Sequence, residues 1–169
     1  MSASIAAAKR FSFSAVFASA ASRDCDAIQR GFKSAEIYTV RGRTLMAKGE
    51  IDRAIADFDL ALKLKPGSGD ALTARGSAWL KKRDYAKALA DVDQAMSSDH
   101  ADLESHLVRA GVYEAQGKID LAIADLRKAA QFSPRTVFET MAQVEVRRRI
   151  ERLTKATPCP NAGDGATCL

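Results

Sequence analysis

Hydrophobic positions recur along this chain with two periods, a helical one inside each segment and a 34-residue one between segments. Ile51, Ile55, Phe58 and Leu62 fall at spacings of four, three and four, which places them on one face of a helix. A step of 34 residues carries Ile51 to Tyr85 and Ile119, Ile55 to Leu89 and Ile123, and Phe58 to Val92 and Leu126. Small residues obey the same step: Ala54, Ala88 and Ala122 are in register, and so are Ala61, Ala95 and Ala129. A fixed period of this length with helical spacing inside it predicts an all-α solenoid of stacked helix-turn-helix units. The units run from 35 to 68, 69 to 102 and 103 to 136.

Within unit one the first helix carries Tyr38, Gly42 and Leu45 on its inner face. Gly49 suits the C-terminal cap that ends it, and Pro66-Gly67 ends the second helix, because proline cannot continue the hydrogen-bond ladder. Unit three repeats both signals with Gly117 and Pro134. Unit two has Arg83 and His100 in their places, so its turns are expected to be less sharply specified. Gly42, Gly76 and Ala110 share one position of the first helix, where a small side chain lets two helices approach closely. Arg41, Arg75 and Arg109 also recur in register, as do Asp57, Asp91 and Asp125, which predicts a ladder of ion pairs between neighbouring helices. Past the repeats, a helix over 137–155 is expected to cap the last unit with Val137, Met141 and Val144 inward and Arg147, Arg148, Arg149 and Arg152 outward. The Pro/Gly-rich stretch 156–169 reads as a disordered tail.

Composition narrows the function classes. The 26 basic and 21 acidic residues leave a charge of +5, but they are interspersed rather than gathered with aromatics into a stripe, which argues against nucleic acid as the partner. No apolar run reaches the length of a transmembrane span. Residues 1–23 lack acids, and Lys9-Arg10 precede an apolar stretch that closes on Ala18-Ser19-Ala20, the ingredients of a signal peptide. Secretion or a periplasmic location is the resulting expectation. The segment also fits an organellar transit peptide or a plain leader on a cytoplasmic protein. After export Cys159 and Cys168 could close a small disulfide loop, with Cys25 left over. No metal site is expected from these cysteines, and no Gly-rich phosphate loop, paired-His motif or nucleophile elbow is present, so no cofactor and no enzymatic activity are expected. His106 occupies a position suited to the core rather than to catalysis.

The pattern resembles the tetratricopeptide repeat family. The positions that carry the resemblance are Tyr38, Gly42, Leu45, Ala54, Phe58, Ala61 and Pro66 in unit one. They are Leu72, Gly76, Trp79, Ala88, Val92, Ala95 and His100 in unit two, and His106, Ala110, Tyr113, Ala122, Leu126, Ala129 and Pro134 in unit three. The resemblance implies a right-handed α-solenoid whose concave face, lined by the first helices, holds a peptide or partner segment. The groove residues carried over are Glu36, Thr39, Arg43, Met46 and Ala47 in unit one, and Asp70, Thr73, Ser77, Leu80 and Lys81 in unit two. Unit three contributes Glu104, Leu107, Gly111, Glu114 and Ala115. Some members clamp acidic chaperone C-terminal tails, but Thr39 and Ala74 stand where that clamp would want Lys and Asn, so such tails are not the expected ligand. Self-association through repeat ends is the alternative reading. An RNA-binding repeat of the 35-residue type is a remote one, disfavoured by the 34-residue step.

Overall fold

The structure, a computed structural model, describes residues 34–97, 102–133 and 137–156, with the side chains of 137–139 excepted. The expected leader 1–23, Cys25, His100, Pro134 and the Cys159–Cys168 pair lie outside the described residues. Among the described residues seven helices follow in order: α1 (Ala35–Ala47), α2 (Ile51–Leu64), α3 (Gly69–Lys81), α4 (Tyr85–Ser97), α5 (Leu103–Ala115), α6 (Ile119–Ala129) and α7 (Val137–Ala156). They pair as α1·α2, α3·α4 and α5·α6, one helical hairpin per 34-residue unit, with α7 after the last. The chain divides into two compact units, α1–α4 and α5–α7.

Local chemistry sets the helix ends. The Ser34 hydroxyl accepts from the Ile37 amide at 3.3 Å to start α1, and the Asp102 carboxylate accepts from the Ser105 amide at 2.8 Å to start α5. The three inner turns are alike. At each, two amides beyond the helix reach back, as Gly49 N to Met46 O (3.2 Å) and Glu50 N to Leu45 O (3.0 Å), the pairing of a Schellman cap. Arg83 N to Leu80 O (3.0 Å) and Asp84 N to Trp79 O (3.0 Å) repeat it in the second hairpin. Such a cap needs a left-handed residue. Gly49 and Gly117 supply it with φ of 84° and 73°, and Arg83 is forced into it at φ 63°. The turn that lacks glycine is therefore as sharply formed as the others, against expectation, because the cap's hydrogen bonds outweigh the strain on one exposed arginine. Arg83→Gly should relieve that strain and stabilise the first unit by about 0.5–1 kcal/mol, read as a higher urea midpoint.

Packing in the first unit is built on alanine. Ala54, Phe58, Ala74 and Ala78 are completely buried, with Leu45, Met46, Ile51 and Trp79 closing over them. A second cluster joins Ala35, Tyr38, Ala61 and Ala71. Phe58 takes the largest space because Gly42 faces it: a Cβ on Gly42 would lie 2.5 Å from the Phe58 ring. A Cβ on Gly76 would lie 2.9 Å from Val92. In the second unit Ala110, Leu126 and Ala129 form the core with Val146 from α7.

The register-sharing arginines and aspartates pair within each hairpin, always 16 residues apart. Arg41 Nε donates to Asp57 at 2.6 Å, and its Nη2 holds the second carboxylate oxygen. Arg75 grips Asp91 at 2.8 and 2.6 Å, and Arg109 grips Asp125 at 2.8 Å twice. Arg75 Nη1 also donates to Asp59 of α2 at 2.7 Å, so this arginine ties the second hairpin to the first. The carboxylates are almost fully buried, at 5–8% side-chain exposure, while the guanidiniums keep about a fifth to a quarter of their surface in water. Asp59 also raises the Arg75 pKa, after Asp91, the main cause.

The helix α7 packs against the third hairpin, but through a different face from the one expected. Gln143 and Val146 are buried and Ile150 and Leu153 cover the core, whereas Met141 and Val144 are 69% and 46% exposed. The reason is continuity: 143, 146, 150 and 153 keep a usable spacing along the helix, while the Met141–Val144 stripe runs into Arg148 and Arg152. Gln143 donates from Nε2 to the Phe132 carbonyl, which satisfies its buried amide. The arginine run divides accordingly. Arg147 and Arg148 stay exposed, and Arg149 turns in to donate to Glu114 at 2.6 Å.

Candidate functional site

Helices α1 and α3 lie side by side in the first unit, which brings the candidate groove positions of repeats one and two onto neighbouring helices. On α1, Glu36 and Ala47 are exposed at the two ends, with Arg43 and Met46 half-buried between them. On α3, Asp70 and Lys81 are exposed at the ends, with Ser77 and Leu80 half-buried. The surface is thus acidic at the helix N-termini and basic toward the C-termini, in the sense that complements each helix dipole. The Glu36 carboxyl is held below the usual carboxylate range by its own backbone amide and the Ser34 hydroxyl, so it stays charged. Met46 leans on the Ala54–Phe58 core and offers only part of its thioether chain outward.

Two of the candidate residues are withdrawn from this surface. Thr39 is buried, and its hydroxyl donates to the Ala35 carbonyl at 2.7 Å; Thr73 is only 1% exposed. Ala74, beside it, has no exposed surface.

In the second unit Glu104, Gly111 and Ala115 keep some exposure on α5, but Leu107 and Glu114 have intramolecular partners. Leu107 packs against the Ala110–Leu126–Val146 core and Glu114 accepts from Arg149 of α7. No sequence period signals the Glu114–Arg149 pair, because its members are 35 residues apart on elements that do not repeat.

His106 belongs to the interior. Its Nδ1 lies 3.2 Å from Asp125, and its ring packs at 5.8 Å from Phe132. Burial pushes the Asp125 carboxyl up, but hydrogen bonds from Arg109 and His106 outweigh it and hold the group below its ordinary value. This network anchors α5 to α6. A cavity of about 430 Å³ next to it is lined by His106, Lys128, Gln131 and Phe132. Among the described residues, no group of three or more His, Cys, Asp or Glu is placed to hold a metal ion, and no helix is long and apolar enough to cross a membrane.

Comparison with known proteins gives this arrangement a context. The tetratricopeptide repeat family model matches residues 39–100 and 80–135, which together span more than half of the chain. No curated protein is similar enough in sequence to count as a relative. Solved structures do match. A thermophilic tetratricopeptide repeat protein from Thermus thermophilus superposes with a TM-score of 0.66 at 19% identity, covering 80% of this chain and 71% of its own. YrrB, described as having an unusual peptide-binding site, gives 0.61 at 20% identity over 79% of this chain and 65% of its own. The first repeat domain of Spaghetti (RPAP3), solved with the HSP90 peptide SRMEEVD, gives 0.55 at 19% identity over 69% of this chain and 93% of its own.

Proposed function

Because the chain belongs to the tetratricopeptide repeat family, we propose that it is a protein–protein interaction module that holds an extended peptide or partner segment across α1 and α3. The observation that supports this reading is the adjacency of those helices, with Arg43, Met46, Ser77 and Leu80 half-buried between exposed charges. A surface that is part apolar and charged at both ends suits a segment with an apolar centre and mixed-charge flanks. YrrB and the Spaghetti domain give the precedent of peptide binding.

The HSP90 peptide that the Spaghetti domain holds is not the ligand proposed here. Thr39 and Ala74 are buried where a tail-binding clamp would need Lys and Asn, and Glu36 and Asp70 stand exposed on the same two helices. The peptide SRMEEVD should therefore produce no anisotropy change with this protein.

The partner itself is best sought by affinity capture and mass spectrometry, with wild type beside an Arg43→Ala/Leu80→Ala/Lys81→Ala variant. These substitutions spare the core, whereas Leu107→Glu would disturb the packing under α7. Partners retained by the wild type and lost by the variant, at unchanged circular dichroism, are the expected outcome. An identical partner set would refute the groove. A second reading, assembly through the helix end, draws on the exposed Met141 and Val144 of α7 and requires light scattering to report a mass above the monomer.

A further inference from the structure

Repeats one and two carry the same pair of cations at the hairpin turn but differ in what lies beneath them. In repeat two, Lys82 and Lys87 stand over the Trp79 ring, 5.9 and 4.3 Å from its centroid. Each also meets a carboxylate, Asp52 at 2.5 Å and Asp84 at 2.8 Å. One repeat earlier the equivalent residues are Lys48 and Arg53, and the equivalent of Trp79 is Leu45. Among the described residues no aromatic ring lies under Lys48 or Arg53, although Arg41 stands 5.4 Å from the centre of the Tyr38 ring. A cavity of about 230 Å³ lies between α1 and α2 instead, lined by Arg41, Lys48 and Arg53 with Leu45, Thr44 and Asp57 among its other walls.

The two cations at the turn are only weakly held. Asp57 is gripped by Arg41 from within the hairpin, so it is already offset. Among the described residues Arg53 pairs with Glu50 alone, an exposed contact three residues away at 73% and 37% side-chain exposure, the kind that is worth about 0–1 kcal/mol and exchanges easily. Lys48 makes no ion pair among the described residues. In repeat three the corresponding positions are Gln116 and Leu121, so that repeat lacks the cation pair, and repeat two holds its pair over Trp79.

We propose that the α1–α2 cavity of repeat one binds a compact phosphate-type oxyanion, with Lys48 and Arg53 as its direct ligands and the Arg41–Asp57 pair as its fixed, charge-balanced wall. Guanidinium and ammonium donors around a recess match the several acceptor oxygens of such an anion, and bonds between ionised partners are the strong class of hydrogen bond. Part of the binding free energy comes from giving Lys48 a partner and replacing the weak Glu50 contact of Arg53. None of these residues belongs to the peptide groove, so the site stands or falls apart from it.

The test is a titration with sodium phosphate at constant ionic strength, followed by amide NMR, with sodium chloride as the matched control. Saturable shifts at amides 48–53 are expected in the wild type. Lys48→Gln/Arg53→Gln should weaken the apparent affinity by about tenfold or more, in keeping with the loss of two charge-assisted contacts. Leu45→Trp should abolish the response in a folded protein, because it places a ring where repeat two has one. O-phosphoserine is the second probe. Shifts at lower concentration than phosphate would assign the site to a phosphorylated side chain of a partner, and weaker shifts would assign it to the free anion. A linear response in the wild type, or the same saturable curve in both variants, would overturn the proposal.

Discussion

Replacing Arg75 by methionine should destabilise the first unit by about 3 kcal/mol, the lower end of what is lost when one member of a buried ion pair is removed. The cost arises on the partner. Asp91 is 8% exposed, and without Arg75 its carboxylate keeps its charge in a place water barely reaches. Arg75 is 23% exposed, so some solvent can follow its departure, and this keeps the estimate from the upper end of the range. Asp59 adds to the loss, because the same guanidinium joins α3 to α2. Removing both charges with Arg75→Met/Asp91→Leu should restore much of the stability, since an apolar pair of similar volume carries no desolvation cost. Urea unfolding followed by circular dichroism measures both variants. A single variant within about 0.5 kcal/mol of wild type, the usual range for surface changes, would reduce the ladder to ornament.

The third hairpin should respond more mildly to Arg109→Met, because Asp125 retains His106 at 3.2 Å. It also supplies a pH signature. Asp125 is held below its ordinary pKa in the folded state, so its contribution to stability is complete above the unfolded carboxylate value of about 3.9 and is lost as pH falls through the lower folded value. The wild type should therefore lose part of its acid stability only below about pH 4, and Arg109→Met should flatten that loss.

Gly42→Ala should cost about 2 kcal/mol, although alanine is the better helix former by about 1 kcal/mol. The added Cβ would lie 2.5 Å from Cε1 and 2.8 Å from Cδ1 of Phe58, a ring with no exposed surface in a close-packed interior. Repeat three shows the remedy, since it pairs Ala110 with Leu126 at the same two positions. Phe58→Leu should thus rescue Gly42→Ala. The double variant should be more stable than the sum of the single changes predicts by about 1 kcal/mol or more, the coupling of residues in direct contact. Additive costs in a double-mutant cycle would show that the crossing is not set by this pair. Gly49→Ala serves as a contrast: nothing stands within 4 Å of its Cβ, and its cost comes from φ of 84° alone.

Much of the architecture was legible in the residues, and the reason is repetition. A helix face shows itself in spacing, and three aligned copies separate a buried position from a chance apolar residue, as with Ala54, Ala88 and Ala122. The family match over 39–135 covers the same positions. The candidate groove was less legible. Positions on the first helices could be carried over, but Thr39 and Thr73 prove buried, and Leu107 and Glu114 are engaged by the core and α7, because exposure depends on which neighbours close over a residue.

The sequence by itself determined the helices, their 34-residue units, the small residues at the crossings and the equal spacing of the arginines and aspartates. Each of these is a property of order along one chain. Tertiary structure decided which aspartate each arginine grips, that Arg83 adopts the left-handed turn of a glycine, and that α7 docks through Val146 and Ile150 rather than Met141 and Val144. It also left repeat one with a cation-lined cavity where repeat two has a tryptophan. These outcomes depend on distances between helices, which periodicity along a single chain does not encode.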